Sequence, residues 1–247
     1  MTTAITFLRT SMLLIEHDGF RMLTDPWFGQ VMRIVPVFRK PGIPRDRLGH
    51  LDALLATHCH PDHFDPGDAA ALGHPELTVV GCPGIEPFAR NVPKRRLVEL
   101  APWESADVGP FRITATPAEH TAPPPAEVNY VIEAAGRRIF FGGDARWSPA
   151  YGQIADRFPS LDVAILPIGG TLIFGHRTTL SPEDAVRACN LLRPRWAIPI
   201  HEGGEWMPIP PASWHPGRNR HFVRALERSR LPIEPVVLAP GQRWVVP

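Results

Sequence analysis

The chain has 247 residues, is 44% hydrophobic and 21% charged, and carries a formal net charge of +1. That balance is globular, and it supplies no overall field toward nucleic acid or an anionic membrane. No apolar run approaches the roughly 20 residues that cross a bilayer, so no transmembrane segment is expected. The N-terminus lacks the basic and apolar regions of a signal peptide. Cys59, Cys82 and Cys189 are odd in number and show no paired spacing, which argues against a disulfide framework and for a reducing, cytoplasmic setting. The 30 prolines are spread over many loops, as in stiff, well-defined connections.

Residues 3–8 and 12–16 are predicted strands. His17-Asp18-Gly19 is a hairpin turn, with a return strand over 20–24. Residues 53–57 form a buried strand that runs into Thr57-His58-Cys59-His60-Pro61-Asp62-His63. Asp65-Pro66-Gly67-Asp68 starts a helix, with Asp65 as N-cap and Pro66 at the first helical position. Residues 77–80 and 111–116 are strands. Residues 129–133 and 138–141 form a hairpin about Ala135-Gly136, and 163–166 is a buried strand. Ser181-Pro182-Glu183-Asp184 caps a helix through about Leu192, and 196–200 is a strand. Near the C-terminus, Phe222, Val223, Ala225 and Leu226 give the arginine-rich stretch from Arg218 to Arg230 an apolar face, the mark of a solvated amphipathic helix.

The second half replays the first. Ile15-Glu16 with Gly19 matches Ile132-Glu133 with Gly136 at an offset of 117. Asp65-Pro66-x-Asp68-Ala69 matches Ser181-Pro182-x-Asp184-Ala185 at 116, and Leu51-Asp52 matches Leu161-Asp162 at 110, so an insertion or deletion lies between. Two similar β-rich halves, packed face to face as one domain over residues 1–247, are the expected organisation.

His58 and His60 are two apart, so an extended backbone sends both side chains from one face and turns Cys59 away. Cys59 is expected as a small buried side chain, not a ligand. Asp62 and His63 follow the bend at Pro61. Imidazole and carboxylate donors suit borderline first-row cations. His120, Asp144 and His201 each follow a predicted strand, and Gly142-Gly143 would let backbone approach an ion beside Asp144.

His58-Cys59-His60-Pro61-Asp62-His63 fits in full the HxHxDH motif of the metallo-β-lactamase superfamily, which this chain resembles over about residues 5–245. Thr24-Asp25-Pro26-Trp27 and Pro199-Ile200-His201 look most like its branch of L-ascorbate-6-phosphate lactonase and N-acylphosphatidylethanolamine phospholipase D. The resemblance implies a four-layer αββα sandwich of α/β class, with the site at the edge where two sheets meet. It implies two divalent ions. His58, His60 and His120 would hold one, Asp62, His63 and His201 the other, and Asp144 would bridge them. All donors are nitrogen or oxygen, which suits zinc and leaves manganese and iron(II) open. A bound ion brings the pKa of water to about 7, so hydrolysis of a lactone, ester or phosphodiester is the expected activity. Two other readings stay open: a nuclease on the same fold, and a non-hydrolytic iron oxygenase or ligand-binding protein. No nucleic-acid partner is expected, and the sequence gives no oligomeric state.

Asp62 is also a candidate to orient the nucleophile or take its proton. Asp25 is a candidate support for a ligand histidine, and His176 for binding substrate or donating a proton. Two proline- and aromatic-rich stretches, residues 26–40 with Trp27 and 203–216 with Trp206, are expected to line an apolar entrance for a small-molecule substrate with an apolar part. His17, His50, His74, His215 and His221 are expected on turns and surfaces.

Overall fold

The structure is a computed structural model, and it describes residues 2–29, 37–120, 126–205 and 207–247. The first half forms β1 (Thr3–Arg9), β2 (Met12–His17), β3 (Phe20–Thr24), β4 (Ala53–Ala56), α1 (Pro66–Leu72), β5 (Thr78–Gly81), α2 (Glu86–Ala89) and β6 (Arg96–Glu99). The second forms β7 (Ser105–Val108), β8 (Phe111–Pro117), β9 (Val128–Ala134), β10 (Arg137–Phe141), α3 (Ala150–Arg157), β11 (Val163–Pro167), β12 (Leu172–Ile173), β13 (His176–Arg177), α4 (Pro182–Leu192) and β14 (Trp196–Ile200). It continues with β15 (Ser213–Trp214), α5 (Asn219–Ser229), β16 (Glu234–Pro235) and β17 (Arg243–Val245).

Two seven-stranded sheets face each other, ordered β17-β1-β2-β3-β4-β5-β6 and β16-β14-β11-β10-β9-β8-β7. Strand period decides which side chain meets which layer. Ile139 and Phe141 on β10, and Val163 and Ile165 on β11, enter the core shared by both sheets. Their alternates Phe140, Ala164 and Leu166 pack instead with Tyr151 and Ile154 of α3, Ala185 and Cys189 of α4, and Phe222 of α5. Helices α1 and α2 add Ala69 and Ala89 beside the first sheet. This is the expected αββα layering. At about 25 cal/mol per Å² of apolar area, each of the larger side chains among these (Ile, Val, Leu, Phe) stabilises the layers by about 1.5–3 kcal/mol.

The internal repeat is visible strand by strand. Each of β1, β2 and β3 is antiparallel to the next, and β4, β5 and β6 continue parallel to β3. β8, β9 and β10 are antiparallel in the same way, and β11, β14 and β16 continue parallel to β10. The Leu-Asp pair also matches in detail. The N–H of Asp52 donates to Arg21 O (2.8 Å), Asp52 Oδ2 accepts from Arg21 N (2.7 Å), and Asp52 O accepts from Thr78 N (3.0 Å). The N–H of Asp162 donates to Arg138 O, Asp162 Oδ2 accepts from Arg138 N, and Asp162 O accepts from Trp196 N, all at 2.9 Å. The offset falls from 117 to 110 because the β3–β4 connection is longer than the β10–β11 connection, 28 residues against 21.

Both predicted helix starts form as expected. Asp65 accepts from Asp68 N, and Ser181 and Asp184 form a reciprocal capping box. The elements the sequence pattern misses are short or peripheral. β6, β7, β16 and β17 lie at or next to sheet edges, where half-exposed residues such as Arg96-Leu97-Val98-Glu99 lose the apolar pattern. α3 buries only Tyr151 and Ile154, too few for a clear period.

Asp52→Ala and Asp162→Ala each remove the acceptor of one partly buried N–H and are expected to cost about 1–3 kcal/mol. The two losses should be similar and additive. Urea unfolding of both single variants and the double variant checks this.

Candidate metal centre

Because β3, β4, β8, β10 and β14 point the same way within their sheets, their C-terminal ends gather at one edge. Asp25 follows β3. His58, His60, Asp62 and His63 follow β4, His120 follows β8, Asp144 follows β10, and His201 follows β14. The edge is stitched across the sheets. Tyr130 Oη donates to Ala56 O (2.8 Å), Val128 N to Thr57 O (3.1 Å), and His201 N to Thr10 O (3.0 Å).

The seven predicted donors converge. Three groups hold one donor atom from each member within 4.8 Å of one another: His58, His60 and His120; His58, His63 and Asp144; and Asp62, His63 and His201. His120 Nε2 lies 3.2 Å from His60 Nδ1. Asp144 stands between the groups. Its Oδ2 is 3.7 Å from His120 Nε2 and 3.8 Å from His63 Nε2, and its Oδ1 is 3.3 Å from His201 Nε2. His58 Nε2 and His63 Nε2 are buried, with no hydrogen-bond partner among the described residues. An orphaned buried acceptor costs about 1–3 kcal/mol, and two that face a carboxylate-lined space fit a cation.

The far side of each ring is held. His63 Nδ1–H donates to Asp25 Oδ2 (2.8 Å), and His120 Nδ1–H to Thr178 O (3.1 Å). Thr57 Oγ1 lies 3.0 Å from His58 Nδ1 and also bonds Asp25. These partners leave Nε2 as the inward atom of His58, His63 and His120. Asp25 and His201 have positive φ, 40° and 52°, a left-handed conformation that non-glycine residues rarely adopt. Gly143 is also left-handed, and a Cβ there would lie 2.3 Å from Glu127 Oε1. Glycine at 143 lets Glu127 reach the main chain of Asp144, whose N–H donates to Oε1 at 2.7 Å.

Burial dominates titration in the cluster. It lowers His58, lowers His120 to about 4 and His201 to about 3, and raises Asp144 well above the usual carboxylate range. It raises Glu127 to about 8. Burial also opposes charge on His63, but Asp25 beside it outweighs burial and lifts the ring to about 10. Without a cation, protons on His63 and Glu127 thus offset the carboxylates. Both groups bind protons more tightly folded than unfolded. Their stabilisation is complete below their unfolded values, about 6.5 and about 4.5, and is lost as pH rises through about 10 and about 8. Chelator-treated protein is expected to unfold at a falling temperature between pH 7 and 10, and an added divalent cation should remove most of that fall. Thermal unfolding across this range checks it, and a flat or rising midpoint would contradict it.

Other expected residues fall elsewhere. His176 stands exposed on β13, outside the three donor groups. Trp27 is 1% exposed and lines no entrance. The Arg9 guanidinium sits 3.7 Å over its ring and donates to its carbonyl at 2.8 Å. Trp206 and residues 30–36 lie outside the described residues. Cys59 is half-buried, not fully buried, because it packs against the outside of the core and not within it. His17 and His215 are buried, contrary to the surface placement expected of them. Each has a hydroxyl partner, Thr3 Oγ1 at 2.8 Å and Thr171 Oγ1 at 3.1 Å. Glu127 escaped the sequence reading because it lies just ahead of a predicted strand with no motif around it.

A family model described as the Beta-lactamase superfamily domain matches residues 20–201. A UPF0173 metal-dependent hydrolase of Methanopyrus kandleri is 28% identical over 250 residues, covering 97% of this chain and 98% of its own. A UPF0173 metal-dependent hydrolase of Thermus thermophilus is 29% identical over 210 residues, covering 80% and 82%. The structure of Igni18, a metallo hydrolase from Ignicoccus hospitalis, superposes with a TM-score of 0.77 at 22% identity, covering 99% and 98%. That likeness carries the fold, and the family match carries the membership: the chain belongs to the metallo-β-lactamase superfamily.

Proposed function

We propose that this protein is a dinuclear metal-dependent hydrolase that cleaves a lactone, ester or phosphodiester. His58, His60 and His120 would hold one cation and Asp62, His63 and His201 the second, with Asp144 placed to serve both. The observation that carries this reading is the placement of Asp144, with Oδ2 toward His120 and His63 and Oδ1 toward His201. Bound divalent cations, zinc by donor type, supply an acidified water and a polarised scissile bond.

The chain's own groups do the rest. Asp62 is partly exposed and lies 3.9 Å from His201 Nε2. Burial alone would raise its carboxyl, but His63, His201 and His60 hold it below the usual range. An ionised carboxylate at the mouth is suited to orient water and accept its proton. Asp25 fixes the His63 tautomer, and positions His58 through Thr57. His176 remains a candidate for contact with bound substrate, from its exposed hairpin.

The substrate carries an apolar part. A cavity of about 200 Å³ is lined by Phe38, Gly204, Pro208, Trp214, His215 and Arg218. Phe38 is 64% exposed and Trp214 51%. Pockets for whole ligands run to roughly 300–1,000 Å³, so this one suits a portion of a molecule. Glu205 O accepts from Phe38 N (2.7 Å), and Arg39 pairs with Glu202 (2.8 Å). These bonds join the Phe38 segment to the loop after His201.

A panel of lactones, esters and phosphodiesters, assayed with and without divalent metal, tests the reading. His60→Ala and Asp144→Asn should each lower kcat/KM by more than the roughly 100-fold loss typical of a supporting residue. Activity that survives both changes together contradicts it. Trp214→Ala should raise KM for a long-chain ester by about 5- to 150-fold and leave kcat and the short-chain ester unchanged, because truncating an apolar contact removes about 1–3 kcal/mol of uniform binding.

A further inference from the structure

We propose that Glu127 is a positioning residue for the His58–His60–His120 half of the site, as Asp25 is for the half containing His63; this rests on the dinuclear reading above. Nothing in the hydrolytic scheme uses Glu127, yet its side chain is fully buried and its Oε2 has no hydrogen-bond partner among the described residues. A buried carboxylate needs compensating charge or donors. The groups facing it are two imidazoles of one donor group: His58 Nδ1 lies 3.8 Å from Oε1, and His120 Nδ1 lies 3.8 Å from Oε2.

Those distances exceed hydrogen-bond length. The direct partners of the two nitrogens are Thr57 Oγ1 and Thr178 O. A cation held by the neighbouring imidazoles favours the ionised form of Glu127, and the carboxylate then acts on the rings through its charge. An anion behind Nδ1–H favours the tautomer that turns an unprotonated Nε2 inward, and it strengthens that nitrogen as a donor to a cation. His58 is also reached from Asp25 through Thr57, so His120 is the ring that most depends on Glu127. The single hydrogen bond of Glu127, from Asp144 N at 2.7 Å, has a different effect: it fixes the main chain that carries the bridging carboxylate.

Glu127→Gln separates the two effects. It keeps a carbonyl oxygen for the Asp144 N–H and removes the charge. Metal-free wild type and variants are titrated with zinc against a chromophoric chelator, which resolves the stepwise constants. His120→Ala marks the step that belongs to the His58–His60–His120 group. Glu127→Gln should weaken that same step by about 10–100-fold and leave the other within about threefold, with metal-free folding retained by circular dichroism. Glu127→Ala, which also frees the Asp144 N–H, should weaken both steps. Glu127→Gln with both steps unchanged, or both weakened equally, overturns the inference. So does a metal-free Glu127→Gln protein that fails to fold, since Glu127 would then serve folding. Wild type that takes up no zinc overturns the dinuclear reading itself, and this inference with it.

Discussion

Two imidazole nitrogens, Nε2 of His58 and Nε2 of His63, are sealed from water and have no hydrogen-bond partner among the described residues. Around them lie three carboxylates, Asp25, Asp144 and Glu127, equally shut away. Such a collection does not persist on packing alone, because each unsatisfied buried group costs about 1–3 kcal/mol and carboxylates crowded together resist joint ionisation. It makes sense as a container for positive charge. The left-handed backbone at Asp25 and His201 is a further local cost at the same edge. The rest of the fold offsets these costs by burying apolar side chains between the sheets and under the helices.

Duplication explains how one chain brings the donors together. Each half contributes a β-meander that turns into parallel strands, and the ends of those strands gather at one edge where loops of both halves meet. The polar ties from Tyr130, Val128 and His201 then hold one half's loops against the other's. The first half supplies the compact His58–His63 segment. The second supplies His120, Asp144 and His201 on three separate strand ends. Hydrogen bonds to Asp25 and Thr178 hold the His63 and His120 rings in place.

Much of this was legible in the sequence. Strand alternation placed the sheets, and Asp65 and Ser181 placed two helices, since a cap is a local hydrogen bond that its own residue encodes. That the candidate donors would meet was legible because the motif residues sit at strand ends, where topology converges. Three things were not. Edge strands lack an apolar face, so β6 and β7 left little signal. Trp27 looked like an entrance residue, but Arg9, remote in sequence, covers it. Glu127 and His215 are polar residues whose burial is a tertiary outcome, and no local pattern distinguishes them from surface residues.

A divalent pair is the premise on which the chemistry, the support from Asp25 and the role of Glu127 all depend. The most direct measurement is elemental analysis of the full chain, purified without added metal and passed through gel filtration. A dinuclear centre predicts two tightly held divalent cations per chain, released only by strong chelation or acid. Protein that carries fewer than one cation per chain, takes up none when metal is supplied, and keeps the same fold would contradict it.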